Sequence, residues 1–351
     1  MALDFPLRIW KGERKKPVLI LIHGFGATEK SWIHPYEEYM GMGRIPFDYV
    51  LTDYERRPSP PYFPRWRFRN YCLSTPLRKT SPRPPSLWEC LREEGYSMMT
   101  WTQRKRYGPI TLAVEELNGV VEESRALFGS DLRLVLVGHS RGGLVARKWI
   151  QDHPQKRGRI QGVALLACPN AGSRLIDGAQ FFSRASRVIG RLLPKDFPSE
   201  GKGISSPVSA LHEEVERLFK GVAREELSPH SSFMLVLKKG ESEEQRSGVR
   251  YLNVVGTRTA FTKLYRIHSP ASGGLREVFS LIDSLRKVIP SALMPEEIVD
   301  GRGDGLVAKE RARIAWIPPE FSREFPVNHL RVLIDTNVRR EIIQFLKGSG
   351  R

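Results

Sequence analysis

The sequence predicts an α/β protein: a single domain over residues 1–351, with a mostly parallel central sheet, helices on both faces and a helical cap made by insertions. Three observations carry that prediction. Strand-length runs such as Leu132 to Val137 and Ile160 to Ala167 are apolar but for Arg133 and Gln161, the pattern of strands covered on both faces. Ile110, Val114, Leu117, Val121 and Phe128 recur at helical spacing between such runs. Two of the runs end in glycine-rich turns, HGFG at 23–26 and GHSRGG at 138–143.

Taken in order, Pro17 to Ile22 is the first buried strand, Ser31 to Tyr39 reads as a helix and Phe47 to Asp53 as a short strand. Residues 55–85 then turn rich in Pro, Arg and aromatics, and proline at that density predicts an irregular insertion. Interleaved Arg and aromatic residues can bind a polyanion or single strand. The preferred reading is structural, with the aromatics pinning a long loop through stacking and cation–π contacts. Regular structure resumes with a helix at Ser86 to Glu94, a strand at Ser97 to Thr102 and the helix of the 110–128 stripe. The strand at 160–167 is followed by a first insertion, residues 174–250. There Ser206 and Pro207 open a helix with Leu211, Val215, Leu218, Phe219 and Val222 on one face. After a strand at Tyr251 to Val255, a second insertion at 258–300 carries a helical stripe of Leu275, Val278, Phe279, Ile282 and Leu285. The two insertions are placed to form a cap or lid, although either stripe also suits ordinary core packing. Ile314 to Ile317 reads as a last strand. Val338, Ile342 and Leu346 mark a terminal helix capped by Asp335 or Thr336.

Composition excludes several classes. At 351 residues and 40% hydrophobic the chain has ample core material, and no apolar run reaches the ~18–20 residues of a membrane span. The start, MALDFPLRIWKGERKKP, has no apolar signal segment, so the expectation is a cytoplasmic protein, or a secreted one whose signal lies outside this sequence. Cys72, Cys90 and Cys168 are few and widely spaced, against a disulfide framework or a zinc site. The net charge of +17 attracts anionic surfaces, but no nucleic-acid motif accompanies it. A solvated basic surface is the preferred reading.

The chemistry sits in short motifs. In Gly138-His139-Ser140-Arg141-Gly142 the serine falls between a buried strand and a helix. There a tight, strained turn lifts its hydroxyl above the sheet edge, and side chains two residues either side would collide with neighbouring elements. Ser140 is therefore the candidate nucleophile. A serine hydroxyl needs a positioned base near neutral pH, and that base needs an acid to set its tautomer. His329, in NHL at 328–330, and Asp304, in GDGLV at 303–307, take those roles. Among rivals, Asp300 lacks a Gly on both sides, Asp283 falls in an apparent helix and His268 precedes Asp304. His34, His153, His212 and His230 read as surface or capping residues. HGFG at 23–26 suits a loop whose backbone approaches a reacting carbonyl, so the Phe25 and Arg141 N–H groups are the candidate oxyanion donors.

With LILIHGFG, LVLVGHSRGGLVAR, CPNAGS, GDGLV and NHL spread over nearly the whole chain, the sequence resembles the α/β-hydrolase lipases and esterases, most of all the bacterial true-lipase branch. The resemblance implies an α/β-hydrolase fold and carboxylic ester hydrolysis through an acyl-enzyme. The triad would be Ser140, Asp304 and His329, the oxyanion donors Phe25 and Arg141, with no cofactor. Two departures stand out. Asn170 replaces a histidine common in that branch. Arg331 replaces an acid that binds a structural calcium, and a guanidinium cannot ligate calcium, so no metal is expected there. Two other functions stay open: an acyltransferase using the same triad, and a non-catalytic basic binding protein on the same scaffold.

Overall fold

A computed structural model of the chain describes residues 3–35, 38, 48–52, 72–74, 85–129, 131–175, 225–259, 263–267, 275–280 and 294–348. The main sheet has seven strands in the order β1-β5-β2-β6-β7-β8-β11. These are β1 (Leu7–Trp10), β2 (Val18–Ile22), β5 (Ser97–Trp101), β6 (Leu134–His139), β7 (Ile160–Leu166), β8 (Arg250–Gly256) and β11 (Ser322–Phe325). Only β1 runs antiparallel, against β5; every other pairing is parallel. The apolar runs are explained by the two cores they divide. On β2 and β6, Val18, Ile20, Ile22, Leu134 and Leu136 face helices α3 (Ile110–Phe128) and α4 (Arg141–Asp152). Leu19, Leu21, Val135 and Val137 face α2 (Leu87–Glu93) and the terminal α8 (Thr336–Gly348) on the other side. Ser86 and Glu89 close a reciprocal capping box on α2. The Asp335 carboxylate accepts the N–H groups of Asn337 and Val338 at the start of α8, so Asp335 is the cap there.

Several expected elements differ. Ile314 to Ile317 is no strand but a turn closed by the Ile317 N–H on the Ile314 carbonyl, 3.1 Å, which buries both isoleucines. Its apolar side chains are satisfied by plugging the core, and Pro318 and Pro319 follow it. The last strand is instead the polar β11, an edge strand with no apolar signature. β1 is likewise a short edge strand: four residues, LRIW, are too few to show a strand period, and Ile9 and Trp10 stay exposed at the opposite edge. The helix expected at 31–39 is interrupted at His34: α1 (Lys30–Ile33) closes there, Pro35 and Glu38 are helical again with the Glu38 N–H on the His34 carbonyl, 3.1 Å, and residues 36, 37 and 39 lie outside the described residues.

In the second insertion, residues 275–280 form a strand and not a helix: β10 (Leu275–Ser280) pairs antiparallel with β9 (Lys263–Ile267). A bulge between Glu277 and Phe279 shifts the two-residue alternation, which is how a strand mimics helical spacing. These strands join β3 (Asp48–Thr52) and β4 (Cys72–Ser74) in a second sheet, order β10-β9-β3-β4. β4 corrects the reading of 55–85 as wholly irregular, since the proline-free Cys72-Leu73-Ser74 suffices for a short strand. The part of the first insertion over 225–250 carries α5 (Ser232–Lys239) and α6 (Glu241–Gln245), and Phe233, Met234 and Leu237 bury into the main core. The helix expected from Ser206 to Val222 lies outside the described residues, as do Asp283, His212 and His268. Among the described residues no helix is long and apolar enough to cross a membrane.

Candidate active site

Four loops meet at the carboxyl edge of the main sheet. The chain leaves β6 at Ser140, whose backbone is held at φ 54° and ψ −126° before α4 begins. This is a sparsely populated conformation for a non-glycine residue. The Ser140 N–H donates to the Leu166 carbonyl of β7, 2.9 Å, which pins the turn to the neighbouring strand. The two glycines have the expected steric reason. A Cβ on Gly142 would lie 2.2 Å from the Ile22 carbonyl oxygen, and one on Gly138 would lie 2.5 Å from the Gly143 nitrogen.

Asp304 arrives from the turn that packs on the end of β8, where a Cβ on Gly256 would stand 2.7 Å from the Asp304 Cβ. Its carboxylate is buried and fully engaged. Oδ1 accepts the N–H groups of Leu306 (2.9 Å) and Val307 (2.7 Å), and Oδ2 faces His329 Nδ1 at 2.8 Å. The His329 N–H also donates to the Asp304 carbonyl, 2.9 Å. His329 follows β11, and Asn328 Oδ1 accepts the N–H groups of Leu330 and Arg331, shaping the turn that presents the ring. Asp300, the rival acid, is instead bound to the Thr259 N–H at 3.1 Å.

His139 joins these halves. Its Nε2 donates to the His329 carbonyl, 2.8 Å, and its ring centroid lies 5.0 Å from that of His329. Burial, helped by the nearby His329, lowers the His139 pKa to about 3, so it stands as a neutral ring in the elbow, the strand-to-helix turn that carries Ser140. The sequence reading had no role for this histidine. Its position inside the pentapeptide was visible, but its long-range bond was not. No hydrogen bond joins the Ser140 hydroxyl to His329 among the described residues: the structure brings Asp304 and His329 together, and Ser140 follows directly on the His139 that bonds to His329.

The H-G-F-G loop closes on the elbow from β2: a Cβ on Gly24 would meet Ser140 Cβ at 3.1 Å. Neither the Phe25 N–H nor the Arg141 N–H meets an acceptor among the described residues. His23 is buried, donates from Nδ1 to the Gly24 carbonyl (2.8 Å) and accepts the Gln103 N–H on Nε2 (2.9 Å). Desolvation lowers its pKa to about 3, which keeps that single tautomer. Asn170 is structural, donating to the Ala312 carbonyl at 2.6 Å and accepting from Arg147. His34 and His230 are exposed, and His153 caps α4 through Nδ1 on the Trp149 carbonyl, 3.0 Å. Cys90 and Cys168 are free thiols. Among the described residues no three His, Cys, Asp or Glu side chains converge as a metal site would require.

Comparison with known proteins places this geometry. The family described as "Domain of unknown function (DUF7379)" matches residues 112–346. No curated protein matches the chain in sequence. Among solved structures, the mature form of the Bacillus licheniformis lipase BlEst2 superposes with a TM-score of 0.52 at 13% identity, covering 97% of this chain and 98% of that one. Its propeptide form gives a TM-score of 0.52 at 14% identity, covering 97% and 53%. At such identity the likeness establishes the fold, and the fold is that of the α/β-hydrolases.

Proposed function

The chain belongs to the family described as Domain of unknown function (DUF7379), and we propose that it is a serine hydrolase cleaving carboxylic esters through an acyl-enzyme. One observation carries the reading: a buried His329–Asp304 pair at 2.8 Å beside a serine strained to φ 54° on a strand-to-helix turn. In this reading Asp304 holds the proton of His329 on Nδ1 and leaves the Nε2 lone pair for the Ser140 hydroxyl. With an ester bound, Ser140 Oγ adds to its carbonyl carbon as Nε2 takes the hydroxyl proton. The resulting oxyanion is met by the Phe25 and Arg141 N–H groups, typically worth about 3 kcal/mol each. Collapse expels the alcohol, which leaves with the proton from His329, and Ser140 is acylated. Water then repeats the sequence, activated by the same imidazole, and releases the acid.

Within the ester hydrolases we place the chain among carboxylesterases and lipases of the bacterial true-lipase kind. Arg331 in place of a calcium-binding acid supports activity insensitive to chelators. The test is hydrolysis of p-nitrophenyl esters from acetate to palmitate beside Ser140→Ala. Wild-type turnover that falls by about 10⁴-fold or more in the variant supports the assignment, and the chain-length optimum separates esterase from lipase. Added alcohol diverting the acyl group would point to transfer as the natural reaction. No turnover of any ester by wild type would remove the hydrolase reading.

A further inference from the structure

The guanidinium of Arg141, the residue after the candidate nucleophile, is wholly buried, an unusual place for a charge. Its Nη1 donates to the side-chain oxygen of Gln103, and its Nη2 donates to the carbonyls of Gly108 (2.8 Å) and Pro109 (3.0 Å). Gln103 is buried as well and grips one residue twice: its N–H donates to His23 Nε2 (2.9 Å) and its side-chain amide to the His23 carbonyl (3.0 Å). His23 opens the H-G-F-G loop. A continuous chain of bonds therefore runs from the elbow, through the segment after β5, to the loop after β2.

Strand pairing cannot hold these pieces in register. The β2–β6 ladder ends at Ile22 and Gly138, before either candidate donor is reached. Beyond that point the separation of the Phe25 and Arg141 N–H groups depends on what crosses between the loops, and donors must be held within ~0.5 Å to serve a developing oxyanion. We propose that Arg141 and Gln103 are positioning residues, a side-chain bracket that fixes the Phe25 N–H opposite the Arg141 N–H. Arg141 thus acts twice, offering a backbone donor and holding its counterpart through its own side chain. The bracket rests on the ester-hydrolase reading, since it serves that reading's oxyanion.

The test is Gln103→Glu, which keeps the shape and the acceptor for Arg141 but replaces the amide donor to the His23 carbonyl with an oxygen. Gln103→Asn, which keeps the groups but is too short to reach both partners, guards against a variant that fails to fold. In the full chain, three quantities are measured: kcat and KM on a p-nitrophenyl ester, affinity for an alkyl boronic acid that mimics the tetrahedral adduct, and amide hydrogen exchange over residues 22–28. The expected result, counted per folded molecule, is a fall of about 100-fold in kcat, with KM within about twofold, a parallel loss of boronate affinity and exchange at least about tenfold faster in the loop. A purely structural role would lower the urea midpoint and leave kcat per folded molecule as it was, and that overturns the proposal. So does faster loop exchange with kcat and boronate affinity intact. Failure of the hydrolase reading looks different: wild type itself turns over no ester, and the positioning role falls with it.

Discussion

Asp304→Asn isolates what the acid contributes, because the structure dictates how the amide must sit. An asparagine here can point either its oxygen or its nitrogen at His329. The Oδ1 site already accepts two backbone N–H groups, at 2.9 and 2.7 Å. An amide nitrogen there would strand both donors, at about 1–3 kcal/mol each, so the oxygen takes that site by about 2–6 kcal/mol. The amide NH2 must then face His329 Nδ1 where Oδ2 stood at 2.8 Å. A donor in that place forces the imidazole proton onto Nε2, and the ring can no longer accept the Ser140 proton. Loss of the base in this way is expected to lower kcat by about 10⁴-fold, some 5.4 kcal/mol of transition-state stabilisation, while KM stays near its wild-type value. The assay is steady-state hydrolysis of p-nitrophenyl butyrate, with Ser140→Ala as the floor and far-ultraviolet circular dichroism to establish folding. A folded Asp304→Asn protein within tenfold of wild-type kcat would refute the role given to the Asp304–His329 bond.

Three further outcomes follow from particular contacts. Ser140→Gly relieves a positive φ in a non-glycine residue, so it should raise the unfolding free energy by about 1 kcal/mol while abolishing ester hydrolysis; thermal denaturation beside the activity assay checks both halves. The folded-state pKa values of His23 and His139, about 3 each, lie below the unfolded value near 6.5. The unfolded chain therefore binds more protons below about pH 6.5, and stability is lost from there downward until pH approaches about 3. Each group costs about 1.4 kcal/mol per pH unit, or about 4 kcal/mol for the pair at pH 5; urea midpoints at pH 7 and 5 should show the slope, reduced by one proton in His139→Gln. Arg147 is buried with both Glu244 oxygens, each at 2.9 Å, and without that charge it keeps only the partly exposed Glu241 carboxylate at 3.0 Å, so Glu244→Gln should cost about 3 kcal/mol. Guanidinium chloride denaturation showing a change below about 1 kcal/mol would contradict that account.

Much of this protein is written in local pattern. Apolar runs of strand length, such as VLILI in β2, are buried on both faces, and a parallel sheet is the arrangement that buries them. The turn chemistry at Gly138-His139-Ser140-Arg141-Gly142 is equally local, since the clashes that exclude a side chain arise from elements a few residues away in sequence or in the adjacent strand. Chain order, with the glycines on either side of Asp304, points to Asp304 and His329 as candidates. What sequence could not contain was anything decided by contacts across the fold. The four-residue edge strands β1 and β11 owe their structure to a neighbour, being too short to show a strand pattern of their own. The 275–280 segment became a strand because β9 offered a partner, and its bulge disguised the period. Asp300 and Asp304 stand four residues apart, and only the folded turn decides which faces His329. The same holds for His139 and Arg141, whose backbone neighbours advertised the elbow. Their side-chain partners, at His329, Gln103 and Gly108, lie 33 to 190 residues away. Local sequence sets which conformations a segment can adopt; a long-range bond also needs its partner, and the tertiary structure alone decides where that partner is.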